Sequence, residues 1–175
     1  MNARLSAQQT TWFTAQVVAY IHAQRALYYP DAKPLAFGES WIGYFQKVDL
    51  ERIRIVEPRR RRVSNPPFYA DLEKLGFTGL PDFSTMAAIT YDDVVVFHDS
   101  LSQQLIFHEL VHVTQYRLLG IEEFARLYIV GYLQAGYEGT PLEKCAYELD
   151  GRFIMGGGPF DVELEVRAWI EGRRF

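Results

Sequence analysis

Cysteine is nearly absent: Cys145 is the only one in 175 residues, so neither an internal disulfide framework nor a multi-cysteine zinc site can form. Positive charge is not in excess either. The 18 Lys+Arg face 22 Asp+Glu, a net charge of −4, whereas a dedicated nucleic-acid binder is normally basic over its domain. Long apolar runs are missing. The best stretch, Phe124 to Tyr137, is interrupted by Arg126 and Gln134 and falls short of the roughly 18 residues of a spanning helix. A cleavable secretory signal is not legible: Trp12 to Ile21 is broken by Thr14 and Gln16, with no small-residue cleavage site after it. With the lone thiol, these absences lead us to expect a cytoplasmic protein with neither a nucleic acid nor a membrane as partner. No repeat or low-complexity tract is visible.

What is present is core-forming material. The chain is 49% hydrophobic and 15% aromatic, which argues against disorder. A chain of this length makes about one domain and buries about 70% of its unfolded surface. We therefore expect a single domain over residues 1–175.

The pattern along the chain predicts an α+β fold, with a small mixed sheet in the N-terminal half packed on a helical C-terminal half. Ser6 to about Tyr28 has helical spacing of Trp12, Phe13, Val17, Ile21 and Tyr28, with His22 as a partly exposed polar residue. Ile53 and Ile55 alternate with Arg52 and Arg54 as a half-buried strand ended by Pro58. The run Arg59 to Arg62 reads as a solvated turn between strands rather than an anion site. Met86–Thr90 and Val94–Phe97, separated by Tyr91-Asp92-Asp93, predict a hairpin or two short strands. Ser100 and Gln103 form a capping-box pair for a helix that ends at Gly120. A second helix follows from Ile121 to about Ala135, and a third from Thr140-Pro141 to around Phe153. Asp161 to Glu171 alternates like a strand and repeats like a helix; we read it as helix.

Chemistry concentrates in His108-Glu109-Leu110-Val111-His112. Histidines four apart lie on one helix face, about 6 Å apart along the axis, so both imidazoles reach one ion. Zinc accepts nitrogen donors tetrahedrally at about 2.0–2.1 Å. Glu109 is rotated roughly 100° from His108, beside the ion, where it serves as general acid/base toward a water molecule and a leaving amine. Apolar neighbours Phe107, Leu110 and Val113 suit a buried helix that is polar only on its site face.

The stretch Phe107 to Tyr116 (FHELVHVTQY), with a weaker echo from Pro141 to Tyr147 (PLEKCAY), resembles zinc metallopeptidases of the HExxH class. Within that class it is similar to small, single-domain gluzincin-like proteins of the minigluzincin type. The resemblance spans about 50 residues; the first 85 add nothing to it. It implies a zincin-like half in which a sheet edge strand binds extended peptide, the HExxH helix packs beneath, and a later helix donates a third ligand. Metzincins are set aside, because the Gly and His wanted three and six residues past the second His are Gln115 and Leu118.

A gluzincin draws its third ligand from a glutamate on a later helix, and Glu143 and Glu148 are the candidates. Glu143 matches the Glu-x-x-Ala form of similar proteins, with Ala146 small enough for close helix approach. Thr140 and Glu143 also have capping-box spacing, so capping is the competing role for that carboxylate. Asp150, two turns on, is placed to orient a ligating histidine through its other ring nitrogen. Residues 142 and 147 are Leu and Tyr, a departure from the fuller Asn-Glu-x-x-x-Asp signature of larger gluzincins. Glu122 and Glu123 come too soon after His112 to reach back. For oxyanion stabilisation the candidates are Tyr132, Tyr137, Tyr147 and His98.

The expected function is zinc-dependent peptide hydrolysis, with His108, His112 and Glu143 as ligands and Glu109 as general acid/base. The competing reading is a non-catalytic zinc-binding regulatory or interaction module, which a fourth protein ligand such as His98 would favour. A metal-free helical scaffold is the third.

Overall fold

The computed structural model describes residues 4–36, 41–57, 62–137 and 139–172. Pro58 as a strand end, and Arg59 to Arg61 as a turn, lie outside the described residues. Helix α1 (Ala7–Tyr28) starts at a full capping box: Ser6 Oγ accepts from the Gln9 amide while the Gln9 side chain accepts from the Ser6 amide. It buries Phe13, Val17, Tyr20 and Ile21. Trp12, expected on that face, is 45% exposed, because the next position round the helix, Phe13, takes the core direction.

Four short strands, β1 (Lys33–Pro34), β2 (Arg54–Val56), β3 (Ala88–Tyr91) and β4 (Val94–Phe97), form one mixed sheet in the order β1-β2-β4-β3. The β2–β4 pair is parallel and the other two are antiparallel. The hairpin turn is one residue shorter than expected. Tyr91 pairs with Val94, which leaves Asp92 and Asp93 as a two-residue turn with Asp92 at φ 60. Arg25 of α1 clasps Asp93 through two hydrogen bonds of 2.6 and 2.9 Å. Every residue of β4 is buried. Val94 and Val96 join Phe13 and Val17 in one apolar cluster, while Val95 and Phe97 join Phe107, Leu110 and Val111 in another. Core therefore covers both faces of the sheet. Helix α2 (Tyr69–Lys74) had no sequence signal.

Helix α3 (Gln103–Ala135) is interrupted at Gly120, whose φ of 73 and ψ of 163 belong to a region open essentially to glycine. The expected division into two helical segments at this residue is thus observed. The cap is not the expected one: Ser102 Oγ, not Ser100, accepts from the Leu105 amide at 3.1 Å. With Leu at the third helical position, no reciprocal glutamine bond can form. Helix α4 (Pro141–Met155) ends at Gly156 in the left-handed region. Helix α5 (Val162–Glu171) settles the ambiguous segment as helix: Val162, Val166 and Trp169 are buried at helical spacing, and Asp161 caps the Leu164 amide. Among the described residues no helix is long and apolar enough to cross a membrane.

The approach of α4 to α3 positions the site. A Cβ on Gly131 would stand 2.9 Å from Pro141 Cδ, so the second half of α3 can meet the start of α4 only because that side chain is missing. Leu142, Cys145, Ala146 and Leu149 then bury one stripe of α4 and aim its other buried positions, Glu143 and Asp150, toward the first half of α3.

Candidate metal centre

His108 and His112 occupy adjacent turns of α3, and their Nε2 atoms come within 3.1 Å of each other. Glu143 Oε2 lies 3.4 Å from the first and 3.5 Å from the second. All three side chains are buried. Ring orientation follows from the outer nitrogens. His108 Nδ1–H donates to Asp150 Oδ2 at 2.8 Å, and Asp150 Oδ1 accepts from Gln104 at 3.2 Å. His112 Nδ1–H donates to Gln115 Oε1 at 2.8 Å. With the proton on each Nδ1, both Nε2 lone pairs face the same point as the glutamate oxygen.

Three acceptors aimed at one another need a cation between them. Glu143 Oε2 is buried without a hydrogen-bond partner, which otherwise costs about 1–3 kcal/mol or more for a charged group. The donor set suits zinc, since two imidazole nitrogens and a carboxylate are among its commonest ligands. In a tetrahedral site with bonds of about 2.0–2.1 Å, neighbouring donor atoms stand about 3.3 Å apart. The observed separations of 3.1, 3.4 and 3.5 Å bracket that value.

Without a metal, protons take the cation's place. Burial disfavours charge on His108, but the hydrogen bond to Asp150 and the Glu143 carboxylate close by outweigh it and lift the ring to about 10. Burial likewise opposes charge on His112, and the Glu143 carboxylate outweighs it, so its pKa is also raised. Burial alone would raise Glu143; the adjacent His112 and His108 instead hold it at about 2.

Of the two glutamates, Glu143 is brought to the histidines and Glu148 points to solvent on the exposed side of α4. Nor does Glu143 cap its helix. Thr140 makes no capping hydrogen bond, and its hydroxyl donates instead to the Gly136 carbonyl at 3.0 Å. Glu109 is buried beside the pair, and Thr90 of β3 donates to its Oε2 at 2.6 Å. Glu109 borders two spaces: an open cleft of about 450 Å³, shared with His108 and Asp150, and a narrow apolar pocket of about 70 Å³, shared with His112 and Glu143.

The four oxyanion candidates separate by position. Tyr132 donates its hydroxyl to the Gly79 carbonyl. His98 stays at its strand end, Nδ1 against the Met86 carbonyl at 2.8 Å and Nε2 accepting the Val63 amide at 3.2 Å. Tyr147 sets its ring 4.7 Å from that of His108 but is about half exposed. Tyr137 borders both spaces, and burial, with the Glu143 charge next, raises its hydroxyl above the ordinary range, so it stays protonated and able to donate. Two contributors escaped the sequence reading. Gln115 carried the available signal, one turn past His112 on the same helix. Thr90 carried none, because only strand pairing brings it to Glu109. Comparison of the chain with protein-family models, curated proteins and solved structures finds no match.

Proposed function

We propose that this chain is a zinc-dependent hydrolase acting on peptide bonds, with His108, His112 and Glu143 as ligands. The carrying observation is the convergence of three buried acceptors at the spacing of a tetrahedral site, one of them without any hydrogen-bond partner. Zinc, when bound, supplies Lewis acidity that makes a water molecule acidic near neutral pH and polarises a carbonyl. Glu109 supplies the proton chemistry. Thr90 holds its Oε2, leaving Oε1 to accept a proton from water and deliver it to the departing amine nitrogen.

A structural zinc site has no use for such a base, and the free ring nitrogen that a fourth histidine ligand would need is not offered by His98. The protonated Tyr137 hydroxyl, which borders both spaces, is the donor assigned to charge developing on the carbonyl oxygen. Substrate recognition is read from the walls. Strand β3 is a sheet edge, and Met86 to Ala88 just before and at its start line the open cleft; an extended peptide laid there is the expected partner. The apolar pocket adjoining His112 and Glu143, walled by residues such as Ile89, Phe124 and Ile129, takes one aliphatic side chain beside the scissile bond.

The test is cleavage of a mixed peptide library by zinc-loaded wild type and Glu109→Gln, with products sequenced. Cuts next to aliphatic residues, reduced about 10²–10⁴-fold in the variant at equal zinc content, support the reading. No cleavage by wild type, or equal cleavage by both proteins, contradicts it.

A further inference from the structure

Gln115 is a fully buried polar side chain beside the site. Its amide nitrogen donates to the Leu142 carbonyl at 2.9 Å, and its oxygen accepts from His112 Nδ1 at 2.8 Å. Leu142 immediately precedes Glu143. One side chain therefore touches a histidine of the cluster and the backbone that carries its carboxylate, across the α3–α4 boundary.

The chemistry leaves this network one arrangement. A carbonyl oxygen can only accept, so Leu142 fixes the amide nitrogen on its side. The amide oxygen must then face His112, and because that oxygen only accepts, the proton is on Nδ1. Nε2 is left with its lone pair toward Glu143. His108 obtains the same tautomer differently, from the Asp150 carboxylate. A second carboxylate in the Gln115 position would add negative charge where Glu109, Glu143 and Asp150 are already buried; a neutral amide orients the ring without that cost.

We infer that Gln115 is a positioning residue that fixes two of the three ligands at once, setting the His112 tautomer and the placement of Glu143. The inference rests on the metal reading above, and it concerns affinity for zinc rather than turnover. Loss of such outer partners typically weakens metal binding 10–100-fold.

The experiment measures zinc affinity by competition with a chromophoric chelator on wild type, Gln115→Met and Gln115→Glu. Thr114→Val, a buried hydroxyl change one residue away whose oxygen bonds only the Leu110 carbonyl, is the control. Histidine ring ¹⁵N shifts of the zinc-loaded proteins report the tautomer. Gln115→Met should bind zinc about 10–100-fold more weakly and lose the hydrogen-bonded Nδ1–H signature of His112. Gln115→Glu keeps an acceptor for His112 but turns an oxygen toward Leu142, so the signature should persist while affinity still falls. The control should match wild type. A folded Gln115→Met that binds zinc within twofold of wild type with unchanged ring shifts overturns the inference. If that variant does not fold by circular dichroism, unaltered affinity in Gln115→Glu overturns it instead. Wild type that binds no zinc removes the metal reading and this inference together, whereas zinc-binding wild type with unaffected variants removes the inference alone.

Discussion

Histidine is used in two opposite ways in this chain, and hydrogen-bond direction separates them. At His108 and His112 the outer nitrogen donates and the inner one faces the Glu143 carboxylate. At His98 both nitrogens are already spent on backbone, one donating to Met86 and one accepting from Val63. Burial depresses the His98 pKa below its ordinary 6.5, the Met86 hydrogen bond opposing but not reversing it. The folded state thus favours the neutral ring, since a proton on Nε2 would abolish the Val63 bond. Stability from His98 is present above about pH 6.5 and is lost as pH falls, because the unfolded chain then binds the extra proton. We predict that the thermal midpoint of wild type drops more steeply from pH 7.5 to 5 than that of His98→Gln, whose amide mimics the neutral ring. Parallel curves would contradict this. The His-Glu-x-x-His pattern was readable because helix geometry is local: four residues put two imidazoles on one face whatever surrounds them. The Thr90 contact to Glu109 was not, since it depends on which strand ends the sheet.

At the scale of elements, the glycines of α3 and α4 have opposite roles. Gly131 leaves the room that Pro141 fills, with a virtual Cβ 2.9 Å from Pro141 Cδ and 3.3 Å from Thr140 Cγ2. Gly151, within α4, has nothing within 4 Å of that position. Gly151→Ala should therefore stabilise the protein by about 0.5–1 kcal/mol through helix propensity. Gly131→Ala should destabilise it by about 1–3 kcal/mol, as overpacking outweighs the same gain. Urea unfolding of both variants checks the pair, and equal signs would show that the α3–α4 approach is not set by this contact. Long helices were legible through period and terminal glycines: Ser6 as a helix start, and Gly120 as a break, marked real boundaries. Strand β1, with two residues, has no period to read, and α2 is too short to display one. The α3 cap was misplaced by two residues because Ser100 and Ser102 are both competent and only tertiary packing chooses.

Across the whole molecule, the sheet lies between two apolar clusters, and the site forms where both meet α3. Leu110, Val111 and Ala146 belong to one cluster; Tyr116, Phe124 and Leu142 belong to the other. The open cleft and the apolar pocket consequently approach Glu109 from different sides. The α+β class was legible from the change in hydrophobic period along the chain. The strand order was not, because the parallel β2–β4 pairing joins segments separated by α2 and by the loops around it. Convergence of the third carboxylate on the histidines likewise needed the α3–α4 packing to be seen, although the choice between Glu143 and Glu148 could be posed from sequence. The proposed zinc site depends on this packing to bring its three ligands together. It is tested most directly by zinc content, measured by plasma mass spectrometry after zinc resupply and removal of excess, on wild type, His112→Ala, Glu143→Ala and Glu148→Ala. About one zinc per chain is expected in wild type and Glu148→Ala, and little or none in the other two, as removing one of three ligands should give. Wild type without zinc, or Glu143→Ala retaining it in full, would show that these three side chains do not form a zinc site.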